Sequence, residues 1–529
     1  MHNLTKTDHL LIGLLVFFFI FGHVFFMSAP FVNLESWYAT SAIFLYNGEI
    51  SSALENLETA VANPLGFSFG VVPFYWVFGV SEFSSRLLSL FSSFLVVAAV
   101  CGWTSRRFGA RFALSVGYLM SLNPLFWLHS GLAYADVPFL AMLTLSFICL
   151  EIGLRESRRA FFYTSAALFG GSALIKYNAF GFTPVIAAWI LLHIRSQGIK
   201  GRKFVGNVVK TVGLYFSVVI IMTIPYGIWM YGVLGHLLHP MYVQALGLSP
   251  RSFQPLAVPY RFFAILMWFG IFVSPIFPYV WVDVRERLPH TINLVMLLSA
   301  LASPFAAMMI MTGRQTASLS EMRLGWGEFL LRQELLIAIM SLCIFAGSVT
   351  VAGLAEWSWR HSSVDALLGV WFFVGIFIHA FVRPTMRYTL FVLPPLVIYL
   401  SGVIMQNEGR KLSWRRKHIL VSVYIVAFCF LNVFNSAYLA AEGHAASRVA
   451  NYVNEKNLKG IHFNPFNSVQ AHSGYLIDQN LYIKGPSEKS KYEMATLKRD
   501  ESVENVVYDA EVKVLGIVFK RYVVLEKPE

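Results

Sequence analysis

Five charged side chains stand at the ends of apolar runs, and their types could act on an anionic substrate held in a membrane. Glu35 follows the first apolar run, and Asp136 opens a later one. Lys176 lies between two apolar runs, and Arg383 and Arg387 precede the sequence Leu-Pro-Pro-Leu. A carboxylate can take a proton from a hydroxyl group, and Lys or Arg can bind phosphate oxygens. Together these residues predict chemistry on an anionic substrate that is embedded in the membrane.

The composition indicates an integral membrane protein. Of the 529 residues, 57% are hydrophobic and only 13% are charged, whereas a soluble domain carries about 25% charged residues. Segments of roughly 20 apolar residues, the length that crosses a bilayer, recur about thirteen times before residue 441. We expect them to begin near His9, Ser84, Ala110, Asp136, Phe161, Phe180, Val208, Tyr260, His290, Leu335, Val364, Tyr388 and Ile419.

The distribution of charge predicts the orientation of these segments. Lys and Arg outnumber Asp and Glu by 41 to 29, and the whole excess lies before residue 441. Every second connection is basic, which is typical of cytoplasmic loops. The stretch 31–85 contains five Glu and neither Lys nor Arg. We therefore expect an outer loop at 31–85, a cytoplasmic N-terminus and an outer C-terminus in the cell membrane, with membrane lipids around the protein and no nucleic-acid partner.

Residues 441–529 differ from the rest of the chain in composition, because they are less apolar and contain short strand-like runs. Residues from Glu442 to Lys456 have an apolar helical face, and Ile461 to Phe463 resembles a short strand. Val512 to Val518 and Tyr522 to Leu525 are rich in residues that favour strands. We therefore divide the chain into a transmembrane domain, 1–440, which includes the outer loop, and a small extracytoplasmic α/β domain, 441–529.

The order of several short motifs resembles the polytopic GT-C glycosyltransferases, in the branch that contains protein O-mannosyltransferases and lipid A aminoarabinose transferases. Each motif is weak alone, but they occur in the order of that family. The matching elements are Leu34 to Tyr38, Asn63 to Leu65, Phe78 to Leu87, Asn123 to Phe126, Asp136 to Pro138, Ile175 to Tyr177 and Arg387 to Leu396. Two positions depart from the family pattern. Leu34 replaces the first acid of an acidic pair, and Ala62 with Asn63 replaces a cation.

The resemblance implies an all-α polytopic membrane fold of GT-C type, with the small α/β domain outside. It also implies transfer of a sugar, with inversion, from a polyprenyl-phosphate carrier to a protein, lipid or glycan acceptor at the outer face. In that reaction Glu35 and Asp136 are the expected catalytic carboxylates. The expected contacts of the donor phosphate are Lys176, Arg383 and Arg387.

Other assignments are less specific. Trp37 and Tyr38 could stack on sugar, and His239 in a long outer loop could contact the acceptor. We predict no definite cofactor. Glu35, Asp136 and His239 could bind a divalent ion, but they do not have the close spacing in the sequence that is typical of a metal site. The four cysteines lie inside apolar runs, also without metal-type spacing.

Each charged residue also has a purely structural explanation. Glu35 and Asp136 could cap helices, Lys176 could extend to the membrane interface, and the two arginines could bind lipid headgroups. Two other functions compete with the enzyme. A transporter or lipid flippase should show two related halves or paired broken helices, which this sequence lacks. An assembly protein that binds through its outer tail should tolerate Glu35→Gln.

Overall fold

A computed structural model describes most of the chain. The described residues are 6–24, 26–32, 34–60, 63–235, 257–288, 291–312, 333–360, 363–381, 386–406, 414–462, 476, 482–483, 491–498 and 502–527. The described part is predominantly helical, with a small sheet near the C-terminus. Two of the predicted site residues, His239 and Arg383, lie outside these ranges.

The first half of the chain is a succession of helices. They are α1 (Lys6–Val24), α2 (Glu35–Tyr46), α3 (Ile50–Ala60), α4 (Gly66–Phe78), α5 (Glu82–Phe108), α6 (Ala110–Ser121), α7 (Pro124–Ser130), α8 (Asp136–Arg155), α9 (Arg159–Ile175), a 3₁₀ helix (Tyr177–Phe182), α10 (Thr183–Ser196) and α11 (Gly201–Leu234). The predicted outer loop thus contains α2, α3 and α4.

The second half continues with long helices and ends in strands. The helices are α12 (Ala257–Val273), a 3₁₀ turn (Ser274–Ile276), α13 (Phe277–Arg287), α14 (Thr291–Thr312), α15 (Gln333–Arg360), α16 (Ser363–Phe381), a 3₁₀ helix (Met386–Val392), α17 (Leu393–Gln406) and α18 (Trp414–Glu455). The strands are β1 (Ile461–His462), β2 (Tyr482–Ile483), β3 (Tyr492–Lys498), β4 (Val506–Val514) and β5 (Ile517–Glu526).

The helices confirm the predicted polytopic membrane architecture. A helix contains or directly follows each predicted span start. In the described ranges, eight helical segments are long and apolar enough to cross a membrane, and four more are shorter and apolar. The eight are Glu82–Phe108, Asp136–Arg155, Tyr177–Ser196, Gly201–Leu234, Arg261–Arg287, Glu334–Ser358, Arg387–Met405 and Val421–Glu455.

The C-terminal segment forms the small α/β unit that the sequence predicts. In the described ranges its strands are ordered β2-β1-β3-β5-β4, and apolar side chains of the sheet pack on the end of α18. The predicted run Val512 to Val518 is not one strand, because the chain turns at Leu515 and Gly516. Both residues have positive φ, which produces a tight hairpin between β4 and β5. Helix α18 crosses the predicted domain boundary at residue 440 without a break.

Local sequence signals explain where the elements around the site begin. Asn123 caps α7, since its side chain accepts a hydrogen bond of 3.0 Å from the N–H of Phe126, and Pro124 takes the first helical position. Helix α9 ends at Ile175 because Lys176 has an extended backbone. Asp136 opens α8, and Arg387 lies on the 3₁₀ helix before α17. Ends of three helical elements therefore supply these three charged side chains.

The start of α4 packs directly on the end of α9. A Cβ atom added to Gly66 would lie 2.4 Å from the carbonyl oxygen of Leu174, two residues before Lys176. At Gly171, also on α9, an added Cβ would meet no atom within 4 Å. Glycine at position 66 thus permits the backbone contact that fixes the end of α9.

Gly66→Ala should therefore lower the thermal stability of the purified protein in detergent, by about 1–3 kcal/mol, because the added methyl group overpacks this contact. Gly171→Ala is the matched control and should be neutral or slightly stabilising, because alanine favours helix. The midpoint of thermal unfolding measures both. Equal midpoints for the two variants would mean that the contact between α4 and α9 is absent.

Candidate active site

Asp136 and Lys176 form a buried ion pair. Lys176 Nζ donates to Asp136 Oδ1 at 2.6 Å, and both residues are fully buried. The two charges come from the start of α8 and the residue after α9. Burying either charge alone would cost several kcal/mol, so each requires the other as a partner. The structure thus brings these two predicted site residues into contact.

Arg387 completes a cluster of two cations and one carboxylate. Its Nε lies 3.9 Å from Asp136 Oδ2, which is an ion-pair distance and too long for a hydrogen bond. Asp136 Oδ2 accepts no hydrogen bond from any described residue. The Arg387 side chain is 14% exposed, whereas those of Lys176 and Asp136 are buried. The three residues carry a net positive charge, and Arg387 is their most accessible member.

Aromatic rings surround the two cations. Lys176 Nζ lies 4.3 Å from the ring centre of Tyr388 and 5.4 Å from that of Phe391. The Arg387 guanidinium carbon lies 5.5 Å from the ring centre of Tyr134 and 5.6 Å from that of Tyr388. Cation–π contacts of this kind favour the charged form and restrict its position. The rings therefore hold both cations in place without neutralising them.

Tyr38 borders the same cluster. Its ring centre is 6.1 Å from that of Tyr134, and its hydroxyl accepts a hydrogen bond of 2.6 Å from Nδ2 of Asn63. Burial raises the pKa of Tyr38 above its ordinary value, so the phenol is neutral at physiological pH and keeps its proton to donate. Trp37 precedes it on α2 and is half-buried against the helical core.

Glu35 is held in a separate buried ion pair with Arg86. Arg86 donates through Nε to Oε1 at 2.8 Å and through Nη2 to Oε2 at 2.7 Å. The backbone N–H groups of Val32 and Ala133 donate to the same carboxylate at 2.9 and 2.7 Å. Two carboxylate oxygens offer about four acceptor positions, and four donors occupy them. A catalytic role for Glu35 stays a prediction, and as a base it would first have to leave Arg86.

Arg86 also organises the backbone after the first helix. Its guanidinium donates to the carbonyl oxygens of Met27, Ala29 and Pro30, at 2.7, 2.6 and 3.3 Å. These contacts and the bond from Ala133 join α5, the segment before α2 and the segment before α8. Glu35 thus contacts Ala133, three residues before Asp136, and the two carboxylates lie in the same region of the molecule.

A metal site is not defined by these side chains. In the described ranges, no group of three or more His, Cys, Asp or Glu residues is placed to hold a metal ion. The predicted ligand His239 falls outside those ranges, as does the predicted phosphate contact Arg383.

Comparison with solved structures identifies the fold. The oligosaccharyltransferase of Archaeoglobus fulgidus, in its apo form, aligns with a TM-score of 0.51 and 11% identity. The alignment covers 92% of this chain and 69% of that chain. Crystal structures of ArnT from Cupriavidus metallidurans align over 98% of both chains in the apo state (12% identity, TM-score 0.46) and over 100% of both chains with bound undecaprenyl phosphate (12% identity, TM-score 0.48).

The sequence gives an independent match. Residues 63–229 match the family model of dolichyl-phosphate-mannose-protein mannosyltransferases. The matched range is less than half of the 529 residues. The predicted resemblance to the mannosyltransferase and aminoarabinose transferase branch is confirmed. None of the curated proteins compared with the chain matches it by sequence.

The family match covers some of the site residues and not others. The matched range includes Arg86, Asp136 and Lys176, whereas Glu35 precedes it and Arg387 follows it.

Several residues of the site were not predicted from the sequence. Arg86 lies within a motif that carried the resemblance, and an arginine flanked by apolar residues is itself a signal, since such a charge requires a partner. His379, in the apolar sequence of α16, gives the same kind of signal. Tyr134, Tyr388 and Phe391 carry no such signal, because aromatic residues are common throughout this chain.

Breaking the pair between Glu35 and Arg86 should destabilise this protein. Glu35→Gln or Arg86→Gln leaves one buried charge without its partner and should cost about 3–5 kcal/mol. The double variant removes both charges, so its unfolding midpoint should be no lower than that of the less stable single variant. Exposed Glu49 supplies the control, since Glu49→Gln should change stability by less than about 0.5 kcal/mol. Thermal unfolding midpoints in detergent test this, and additive losses in the double variant would contradict a direct pair.

Proposed function

We propose that the chain transfers a sugar from a polyprenyl-phosphate carrier to an acceptor hydroxyl group on a protein, lipid or glycan at the outer face of the cell membrane. The observation that carries the proposal is a pair of cations, Lys176 and Arg387, beside the buried carboxylate of Asp136 in an apolar helical domain. A polyprenyl-phosphate sugar has the matching chemistry, because it joins one anionic phosphate to a long apolar chain.

The two cations are suited to a phosphate. Arg387 offers a planar fork that matches two phosphate oxygens, and Lys176 offers a point charge. Arg387 is partly exposed and would meet the phosphate first. Lys176 would then exchange its bond to Asp136 for a bond to a phosphate oxygen. Both cations would stabilise the phosphate as it leaves the sugar.

A small apolar cavity inside the helical domain marks a path along which the polyprenyl chain could extend. Trp103, Trp189, Trp371 and Pro394 are among its lining residues. Pro394 follows Phe391, on whose ring Lys176 rests, by three residues, and the indole of Trp371 donates to the carbonyl oxygen of Phe391 at 2.8 Å. Thr144, Phe147 and Ile148 of α8 also border the cavity, about 12 to 18 Å along the helix from Asp136. The cavity thus lies deeper in the span than the cations.

Asp136 is the residue that we assign as the base. Its Oδ2 has an acceptor position that no described residue fills, and loss of Lys176 to the phosphate would free Oδ1. The acceptor oxygen attacks the anomeric carbon and loses its proton to Asp136. The bond from that carbon to the phosphate oxygen breaks, and the polyprenyl phosphate leaves with the electron pair. One displacement inverts the anomeric configuration. Tyr38 can donate its hydroxyl proton to a sugar or phosphate oxygen.

The direction of the helices supports an outer site. Helix α8 begins at Asp136 and ends at Arg155, and α9 begins at Arg159 and ends just before Lys176. The charged cluster and the basic connection therefore lie at opposite ends of the same two helices. Because basic connections are retained in the cytoplasm, the site faces outward.

A transfer assay tests this function. Purified protein in vesicles, given a panel of radiolabelled polyprenyl-phosphate sugars and membrane acceptors, should transfer one of them. Asp136→Asn should lower the rate by about 100-fold or more, the usual cost of losing a general base. Lys176→Met and Arg387→Met should also abolish transfer, because the phosphate loses its cations. Exposed Lys210 supplies the matched control, and Lys210→Met should transfer normally.

Two results would contradict the proposal. Transfer that is unchanged in Asp136→Asn and Lys176→Met would remove the site. Movement of a labelled lipid-linked sugar across the bilayer without a new glycosidic product would instead support the transporter or flippase.

A further inference from the structure

His379 is a buried polar residue that the proposed reaction leaves unused. It lies near the end of α16 and is 2% exposed. Neither ring nitrogen makes a hydrogen bond to a described residue, although the backbone carbonyl group of Tyr388 approaches the ring without reaching hydrogen-bond geometry. A neutral imidazole has one donor and one acceptor nitrogen. A buried polar side chain without partners is unusual in a folded protein and requires an explanation.

The position of His379 relates it to the cation cluster. Its ring centre is 5.3 Å from that of Tyr388 and 5.5 Å from that of Phe391. These are the two rings on which Lys176 rests. His379 is also close enough to Lys176 and Asp136 for both charges to act on it electrostatically. The unpartnered imidazole therefore lies beside the group that we assign to the donor phosphate.

We propose that His379 is a further residue of the donor site and that its ring N–H donates to a phosphate oxygen of the polyprenyl-phosphate donor. This inference rests on the proposed function. The phosphate supplies the acceptor that the folded chain lacks, and the imidazole adds a neutral donor to the two cations. Binding of the lipid then satisfies a polar group whose burial is otherwise unfavourable.

A second role is compatible with the same position and predicts different variants. His379 could act only as a packing ring beneath Tyr388 and Phe391. His379→Phe keeps an aromatic ring and removes the N–H donor. His379→Gln removes the ring and keeps an N–H donor. The two substitutions therefore separate hydrogen bonding from packing.

The experiment measures binding of undecaprenyl phosphate to the full-length protein in detergent micelles. We expect His379→Phe to weaken binding roughly tenfold, which corresponds to about 1.4 kcal/mol, and His379→Gln to bind within threefold of wild type. The reverse order, with Phe tolerated and Gln impaired, would overturn the inference in favour of packing. Unfolding midpoints of both variants are measured alongside, and only variants that remain folded at the assay temperature are compared. If either fails this criterion, His379→Asn replaces Gln and His379→Leu replaces Phe.

Two controls distinguish failure of this inference from failure of the proposed function. Lys176→Met should lose binding, and Lys210→Met should retain it. If wild type itself does not bind undecaprenyl phosphate, the donor site as a whole is wrong, and the inference falls with it. If wild type binds, Lys176→Met does not, and His379→Phe binds like wild type, only the role of His379 is overturned.

Discussion

The buried ion pair between Asp136 and Lys176 is the interaction on which the arrangement of the site depends. Each of these buried charges requires the other as a partner in this apolar interior. The start of α8 and the end of α9 must therefore lie side by side. Arg387 then adds a second cation at 3.9 Å from the same carboxylate. The result is a positively charged cluster with one accessible side chain. In our proposal the donor phosphate takes the place of Asp136 beside Lys176, and the released carboxylate becomes the base.

A second buried pair, between Glu35 and Arg86, has a different consequence. Its carboxylate has no acceptor position left, and its guanidinium also holds three backbone carbonyl groups. These contacts connect the segment before α2 to α5 and to the residues just before Asp136. The pair therefore stabilises the frame in which Asp136 and Tyr38 lie. In our proposal Asp136 is the base, while Glu35, for which catalysis stays a prediction, supports the structure around it.

The sequence predicts the helices better than it predicts the pairing of their charges. Long apolar runs and alternating basic connections determine where spans begin, and the helices follow those starts. The convergence of Asp136, Lys176 and Arg387 was predicted because each stands at a span end on one side of the membrane. The partner of Glu35 was not, since Arg86 lies 51 positions away and no local pattern links them. His379 was also missed, because a single histidine in an apolar helix does not reveal which rings it will meet.

A cryo-electron microscopy structure of the full-length protein with undecaprenyl phosphate would test the central claim most directly. The account predicts phosphate oxygens within about 2.7–3.2 Å of both Lys176 Nζ and the Arg387 guanidinium, with the polyprenyl chain extending from them along apolar side chains. It also predicts that Asp136 has separated from Lys176. A phosphate bound elsewhere, with the pair between Asp136 and Lys176 intact, would contradict it.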